Sequence, residues 1–224
     1  MKILICAATP FEIAPLAEHL ERSSKAYEDG LYKYGEHQIR VLITGIGMVS
    51  TTYLLTKYFA HFPVDLAVNA GIAGAYPNKF PIGEVVNVVS EQIGDLGAEQ
   101  ADGSFKDVFE MELEDGNKPP FTHNTLVHPL GKETTFLPKA KGLTLNKVTG
   151  TTATANALAA KYDPDIESME GAAFFQVCLE EQINFLQLRA ISNIVEDRNK
   201  EKWNIPLAIN NLNKVLIDLL QSLI

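Results

Sequence analysis

The sequence predicts a single α/β domain, a sandwich in which a mixed central sheet is flanked by helices. Three observations support this prediction. Apolar runs suited to buried strands recur along the chain, helical patterns alternate with them, and no repeat, low-complexity tract or linker divides residues 1–224. Alternating β and α segments are typical of doubly wound α/β folds. The 224 residues suffice for one sizeable core.

Charge and composition exclude several classes of function. The net charge is −9, whereas a protein that binds the nucleic-acid backbone needs a basic face. No apolar run approaches membrane-spanning length, and the run at residues 3–8 is too short for a signal peptide. Cys6 and Cys178 lie in apolar runs and are expected to be buried thiols. We expect a cytoplasmic protein without nucleic acid, membrane, metal or cofactor.

The first predicted strand leads into a helix through a turn that carries a candidate acid. Residues 2–8 form a continuous apolar run, as in buried strands. Thr9 can cap the helix, Pro10 suits its first position, and Glu12 completes a capping box three residues after the cap. The residues alone favour capping for Glu12. The same turn also overhangs a strand's carboxyl end, where open α/β sheets bind ligands.

The elements up to residue 93 follow from apolar patterns. Residues 31–34 and 38–44 are predicted to form a hairpin, and residues 48–61 a helix. Residues 64–69 and 83–93 are predicted to be buried strands.

A glycine-containing stretch, residues 69–74, follows the first of these two strands. Glycine lets a backbone approach a ligand closely, but such a stretch is equally typical of a plain loop.

Between residues 94 and 147 the pattern weakens, and prolines and glycines indicate loops. We predict a variable, loop-rich insertion here that crosses one edge of the sheet. His123 and His128 lack metal-ligand spacing and are expected to be solvated. The phenylalanines of this segment are candidates for stacking on a ring, although each is more often a core residue: Phe105, Phe109, Phe121 and Phe136.

Polar residues end two elements in the last third of the chain. Residues 166–173 read Ile-Glu-Ser-Met-Glu-Gly-Ala-Ala, so Glu170 lies where an extended segment becomes a helix. An apolar strand over 184–191 ends at Ser192 and Asn193. Glu170 could be only an acid near a helix dipole, and Asn193 only a turn residue. Helices are also predicted up to residue 161 and over residues 205–224.

These two motifs resemble those of the purine nucleoside phosphorylase and nucleosidase superfamily. Ser-Met-Glu-Gly-Ala-Ala followed by Arg-Ala-Ile-Ser-Asn is similar to the Met-Glu-(small)-Ala and Arg-Ala-Ile-Ser-Asp of methylthioadenosine/S-adenosylhomocysteine nucleosidases. Asn193 in place of that Asp, with Trp203-Asn204-Ile205-Pro206 soon after, resembles the futalosine hydrolases, hypoxanthine-releasing nucleosidases of a menaquinone route. The resemblance covers most of the chain and is weakest between residues 97 and 147.

The resemblance implies a nucleoside phosphorylase-like fold, a homo-oligomer and a site that hydrolyses an N-glycosidic bond. Glu12 is the implied water-activating carboxylate. Glu170 would accept hydrogen bonds from the ribose hydroxyls, with Met169 packed on the ribose. The backbone of Ala73 and Gly74 would lie beside the ribose and base.

Asn193, with Ser192 beside it, is the residue assigned to stabilise the departing purine. An amide cannot titrate, but it offers one donor group and one acceptor group. Asn193 can donate to a 6-oxo oxygen and accept from a protonated N7, which matches hypoxanthine or guanine better than adenine.

Several alternatives to a futalosine hydrolase remain. Phosphorylases of the superfamily place arginines around phosphate, whereas residues 7–12 carry no arginine and residues 78–83 only one lysine. Water is therefore the favoured nucleophile over phosphate. A methylthioadenosine/S-adenosylhomocysteine nucleosidase, another purine nucleosidase and a non-catalytic nucleoside-binding protein are the other interpretations, because a fold does not fix function. Each of them takes a small nucleoside as its partner.

Overall fold

The computed structural model describes residues 1–28, 30–130 and 136–223. The helices of these residues are α1 (Pro10–Ser23), α2 (Met48–Phe59), α3 (Thr152–Tyr162), α4 (Gly171–Glu180) and α5 (Ile205–Gln221), with a 3₁₀ turn at Lys200–Lys202. The strands are β1 (Lys2–Ala7), β2 (Lys25–Glu28), β3 (Leu31–Tyr34), β4 (His37–Ile43), β5 (Leu66–Ala75), β6 (Val85–Ile93), β7 (Gly97–Glu99), β8 (Phe105–Asp107), β9 (Phe121–Thr122), β10 (Thr125–Val127), β11 (Lys139–Thr144), β12 (Ile166–Ser168) and β13 (Phe185–Ile194).

Within these ranges, eleven strands form one mixed sheet, and β7 and β8 form a separate pair. Strand β1 lies between β4 and β5 and runs parallel to both. Strand β13 is parallel to β5 and antiparallel to β6. Because β12 and β11 also connect β5 to β6, the central strands close into a ring. The predicted α/β sandwich with a mixed central sheet is confirmed.

Helices cover both faces of the sheet and bury two apolar cores. Helices α1 and α5 pack on one face through side chains such as Leu16, Leu20 and Leu212. Helices α2 and α4 pack on the other face, through side chains such as Leu55 and Phe174. Burial of these apolar surfaces is the main force that holds the helices to the sheet.

Strand β5 extends through the glycine-containing stretch, so the expected loop at residues 69–74 is wrong. Pairing with β12 and β13 outweighs the poor strand propensity of glycine. The glycines also have a steric role, since a Cβ at Gly71 would lie 2.9 Å from Oε1 of Glu12. A Cβ at Gly74 would lie 2.9 Å from Cγ2 of Val195 and 3.1 Å from Nδ2 of Asn193.

The segment from residue 94 to 147 contributes more to the sheet than loops would. It ends in β11, an interior strand that runs parallel to β6 and β12. Strands β9 and β10 extend the edge beyond β6. Residues 131–135 of this segment lie outside the described residues. That the segment is a variable insertion stays a prediction.

His128 is buried, so the expectation of a solvated side chain is wrong for it. Its Nε2 lies 2.6 Å from the carbonyl oxygen of Phe185, and its Nδ1 accepts from the N–H of Leu130 at 3.0 Å. His123 is exposed, as expected. Over the described part of the chain, no helix combines the length and apolar character needed to cross a bilayer.

Candidate active site

A cavity of about 220 Å³ opens where the main strands end. Its walls come from the residues that follow β1, β11 and β12 and from the last residues of β5 and β13. Strand ends are where α/β sheets bind ligands. All the residues that the sequence proposes for the site line this one cavity: Glu12, Ala73, Gly74, Met169, Glu170, Ser192 and Asn193. Their chemical roles stay predictions.

The two carboxylate oxygens of Glu12 contact different parts of the fold. Oε2 accepts from the backbone N–H of Thr9 at 3.0 Å and from its hydroxyl at 2.9 Å, as a capping residue does. Oε1 accepts from the backbone N–H of Ile72 in β5 at 3.1 Å. The two interpretations of Glu12, as a cap and as a cavity residue, are therefore compatible.

A kink in α1 orients the backbone that carries Glu12. The helix departs from helical geometry at Ile13 and contains Pro15. The side-chain amide of Asn213 in α5 fills the gap, because its Nδ2 donates to the carbonyl of Glu12 at 2.9 Å and its Oδ1 accepts from the N–H of Leu16 at 3.0 Å. Asn213 thus replaces a broken turn of the helix with two buried hydrogen bonds.

Arg189 lies beneath Glu12 and was not proposed from the sequence. It is 1% exposed, in the middle of β13. A Cβ at Gly71 would lie 3.2 Å from its Nη1 and 2.9 Å from Oε1 of Glu12, so both charged groups lie close to the bare backbone of Gly71. Nη1 donates to Oδ1 of Asn69 at 3.2 Å. The signal in the sequence was an arginine within an otherwise apolar strand.

Glu170 is the N-cap residue of α4 and reaches across the cavity to α2. Its Oε1 accepts from the backbone N–H of Gly47 at 2.9 Å. Burial raises the pKa of Glu170, whereas the Arg189 guanidinium and the Gly47 N–H favour its ionised form and Glu12 disfavours it. An ionised Glu170 has acceptor capacity left for ligand hydroxyls.

Asn193 is buried and is held in one orientation by its neighbours. Its Oδ1 accepts from the hydroxyl of Ser192 at 2.8 Å, and its Nδ2 donates to the carbonyl of Ile194 at 3.2 Å. An amide has two N–H groups and two acceptor sites. One donor and one acceptor of Asn193 therefore remain for a ligand in the cavity.

Other lining residues come from segments that the sequence analysis did not propose. Lys147 and Val148 follow β11, and Trp203 precedes α5. Glu167 also lines the cavity, but Thr149 and Tyr76 already donate three hydrogen bonds to it. Burial raises the pKa of Glu167 against the effect of these bonds. Lys147 and Val148 follow strand β11, which lies in the segment where the sequence pattern is weak.

Chemically, the cavity is acidic and small. Among its described lining residues, Lys147 is the only basic one, opposite Glu12, Glu167 and Glu170. None of the four candidate phenylalanines is among them; Phe109 and Phe121 pack on each other at 5.1 Å, and Phe136 is fully exposed. Within the described residues, no group of three or more His, Cys, Asp or Glu side chains could hold a metal ion. Both cysteines are buried and unpaired.

Comparison with known proteins gives consistent matches. The phosphorylase superfamily model matches residues 2–221. A futalosine hydrolase of Thermus thermophilus is 36% identical over 184 residues, 80% of this chain and 80% of that protein. A 5′-methylthioadenosine/S-adenosylhomocysteine nucleosidase of Colwellia psychrerythraea is 25% identical over 240 residues, 96% of this chain and 94% of that protein. The solved futalosine hydrolase of Helicobacter pylori strain 26695 has the same fold, with a TM-score of 0.79 at 16% identity over 99% of this chain and 98% of that chain.

Proposed function

The chain belongs to the phosphorylase superfamily and, within it, to the futalosine hydrolases, and we propose on that premise that it hydrolyses the N-glycosidic bond of futalosine to release hypoxanthine. The observation that carries the proposal is the meeting of Glu12, Glu170 and Asn193 in one cavity. Two of the three offer a carboxylate and the third offers an amide, and each is assigned a different part of the nucleoside.

In the proposed reaction, Glu12 activates water. The C1′–N bond breaks as the water oxygen attacks C1′, positive charge builds on the ribose, and the bonding electrons leave with the base. The Glu12 carboxylate takes a proton from the water.

Glu170 binds the ribose in this proposal. Its carboxylate accepts hydrogen bonds from the two ribose hydroxyls while Gly47 holds Oε1 in place. Met169, the residue before it, contributes an apolar surface to the same cavity for the sugar ring. The negative charge also favours the positive charge that develops on the ribose.

Asn193 binds the base. Its free N–H donates to O6 of hypoxanthine, and its free acceptor site receives a protonated N7. The amide holds this proton but does not supply it, so the proton comes from solvent. Adenine presents an amino donor where O6 would be, which leaves a donor facing a donor.

Water is preferred to phosphate as the nucleophile because the cavity is acidic. Three carboxylates line it, and no arginine is among its described lining residues. A phosphate dianion beside Glu12 would meet repulsion without the bidentate partners that such sites need. The reaction is therefore hydrolysis rather than phosphorolysis.

Two alternatives are less well supported. A methylthioadenosine/S-adenosylhomocysteine nucleosidase would release adenine, which the amide of Asn193 matches poorly. A non-catalytic nucleoside-binding protein would have no use for a carboxylate held between a helix cap and a central strand.

The cytoplasmic location remains a prediction.

We also propose that the protein is a homo-oligomer that associates through α2. Ile46, Val49 and Tyr53 are exposed apolar residues at helical spacing, and Ile46 also lines the cavity. A second copy on this face would cover the stripe and the cavity mouth together. Sedimentation of the wild-type chain beside Val49→Glu tests this, and a monomeric wild-type chain would contradict it.

A substrate panel tests the function directly. Futalosine, inosine and methylthioadenosine are each incubated with the protein in phosphate-free and phosphate-containing buffer, and free base and sugar are quantified. We expect hypoxanthine from futalosine at equal rates in both buffers, with a free reducing sugar as co-product. A sugar 1-phosphate would identify a phosphorylase, and adenine release alone would identify an adenine nucleosidase.

A further inference from the structure

Glu91 is a completely buried acid to which the proposed reaction assigns no role. It lies in β6 at 0% exposure. Glycines make room for it, because a Cβ at Gly142 or at Gly171 would lie 2.3 Å or 2.0 Å from its Oε1. Gly171 is the first residue of α4 and follows Glu170 directly. The carboxylate of Glu91 is therefore packed against the start of the helix that presents Glu170.

A chain of buried hydrogen bonds runs from Glu91 toward Arg189. Nε2 of Gln187 donates to Oε1 of Glu91 at 2.5 Å, and Nδ2 of Asn69 donates to Oε1 of Gln187 at 3.3 Å. Nη1 of Arg189 then donates to Oδ1 of Asn69 at 3.2 Å.

A second branch runs from Glu91 to the first turn of α4. The hydroxyl of Thr144 donates to Oε2 of Glu91 at 2.9 Å and accepts from the N–H of Ala172 at 2.7 Å. The two branches connect the surroundings of Glu12 with the helix start that carries Glu170.

In both hydrogen-bond branches, every donor group points toward Glu91. Arg189 can only donate, so Asn69 must present its carbonyl oxygen to it and its NH₂ to Gln187. Gln187 must then present its NH₂ to Glu91, and Glu91 must accept this hydrogen bond. Thr144 makes the same demand from the other side, since its hydroxyl proton has to go to Glu91 while its oxygen accepts from Ala172. A carboxylate meets both demands, and an amide meets only one.

We propose that Glu91 is a positioning residue, whose carboxylate sets the direction of both hydrogen-bond branches and so holds Arg189 and the start of α4 in their working places. The proposal rests on the proposed function, which assigns catalytic and binding roles to Glu12 and to Glu170. In Glu91→Gln, one NH₂ faces a donor, either Gln187 or Thr144. If Gln187 and Asn69 turn to avoid this, the NH₂ of Asn69 faces Arg189.

Glu91→Gln should lower kcat by about 10- to 100-fold, since displacement of reacting groups by about 1 Å has effects of that order. Ligand affinity should change much less. The single tryptophan of the chain, Trp203, lines the cavity, so quenching of its fluorescence by hypoxanthine reports base binding without turnover. We expect the dissociation constant for hypoxanthine to stay within about threefold, because the base site at Asn193 does not depend on the chain of hydrogen bonds.

The double variant that combines Glu91→Gln with Gln187→Glu, called the exchange variant, is the decisive measurement. The carboxylate introduced at position 187 would accept from Asn69 and from the NH₂ of the amide introduced at position 91. The carbonyl oxygen of that amide would accept from Thr144. Every original direction at Asn69, Arg189 and Thr144 is thus restored with the same atoms and charge. We expect kcat to return to within about fivefold of the wild type, as for neighbours that are strongly coupled.

Asp107→Asn is the matched control, because it removes another buried carboxylate that lies outside the chain of hydrogen bonds and the cavity. An exchange variant that is as slow as Glu91→Gln, or that does not fold, overturns the proposal, as does a fully active Glu91→Gln. If Glu91→Gln itself fails to fold, the exchange variant decides alone. Variants are compared on whichever nucleoside of the panel the wild type cleaves, so a wrong substrate assignment is seen in the wild type and not in these ratios.

Discussion

The carboxylate of Glu12 and the backbone N–H of Ile72 are joined by a hydrogen bond of 3.1 Å, which ties the first helix to the middle of the central strand. The other oxygen of the same carboxylate caps that helix at Thr9. The group proposed to activate water is therefore fixed at both oxygens before any substrate arrives. Fixed groups need no reorganisation during the reaction, which is the basis of electrostatic preorganisation.

Glu12→Gln should lower kcat by about 10²- to 10⁴-fold, the usual contribution of a general base. The substituted amide has one oxygen where Glu12 uses two, so either Thr9 or Ile72 loses its acceptor. We expect the protein to stay folded with a loss of about 1–2 kcal/mol in the free energy of unfolding. Single-turnover rates and urea titrations measure the two effects. Glu18→Gln, an exposed acid on the same helix, is the control, and an active Glu12→Gln would leave Glu12 as a cap only.

Glu170→Gln should weaken nucleoside binding and slow the reaction together, because the proposed contact of the carboxylate with the ribose is present in both ground and transition states. A 2′,3′-dideoxy analogue should be a poor substrate for the wild type and should lose little further rate in the variant. Steady-state kcat and KM are measured for both substrates. Glu180→Gln, exposed at the other end of α4, is the control. If the wild type cleaves the ribo and the dideoxy substrate equally well, Glu170 acts only as a helix-dipole residue.

Asn193→Asp should reduce activity on futalosine and raise relative activity on the adenine counterpart. Sites that depend on buried hydrogen bonds can discriminate between such substrates by about 10⁴- to 10⁵-fold. The rate should also become more dependent on pH, since a carboxyl titrates and an amide does not. The measurement is kcat/KM for both substrates across pH, beside the exposed control Asn156→Asp. An unchanged ratio would mean that other groups read the base.

Asn213→Leu should destabilise the fold and slow the reaction, although Asn213 does not line the cavity. Leucine is of similar size but leaves the carbonyl of Glu12 and the N–H of Leu16 buried without partners. Each unsatisfied group costs about 1–3 kcal/mol. Calorimetry gives the loss of stability, and kcat at a temperature where both proteins are folded gives the effect on Glu12. Asn210→Leu, at an exposed position of the same helix, controls for the helix itself.

Glu91 should make the stability of the fold depend on pH. Burial raises its pKa to about 7 from an ordinary 4.5, even though Arg189 and the hydrogen bonds from Thr144 and Gln187 favour ionisation; Glu170 adds to the rise. A raised carboxyl pKa means that the folded state binds more protons than the unfolded state between these values. The contribution of Glu91 is therefore fully present below pH 4.5 and is lost as pH rises through about 7.

The expected size of this loss is about 3 kcal/mol, from the shift of the pKa. Urea titrations of the wild type and Glu91→Gln at several pH values measure it as a difference, so that other titrating groups cancel. Relative to the variant, the wild type should lose stability as pH rises from 4.5 to 7. Parallel curves for the two proteins would contradict the assignment.

Much of this fold could be predicted because local patterns agree with it. The run before Thr9, the capping box and the amphipathic pattern of α5 specify their elements without help from distant residues. Strand β5 could not be bounded in this way. Its second half is Gly-Ile-Ala-Gly-Ala, which has little intrinsic preference for a strand and becomes one because β12 and β13 pair with it.

The same difference between local and long-range signals applies to the residues of the candidate site. Residues that stand out at the ends of elements, such as Glu170 and Asn193, could be proposed from the sequence. Arg189 and Glu91 could not be given a place, because each is a single charge inside an apolar strand and only the assembled sheet reveals its partners. Lys147 and Trp203 belong to connections whose position depends on strands formed elsewhere in the chain.

The glycines of β5 also decide where this enzyme can change during evolution or in the laboratory. A side chain at Gly71 would push on Glu12 and Arg189, and one at Gly74 would push on Val195 and Asn193. Substitution of either glycine would therefore displace groups that line the cavity. New substrate preferences have to come from the wall residues Ile46, Lys147, Val148 and Trp203, which lie on loops and a helix start outside the sheet. A library that varies those four positions and spares β5 should retain folded, catalytically competent members.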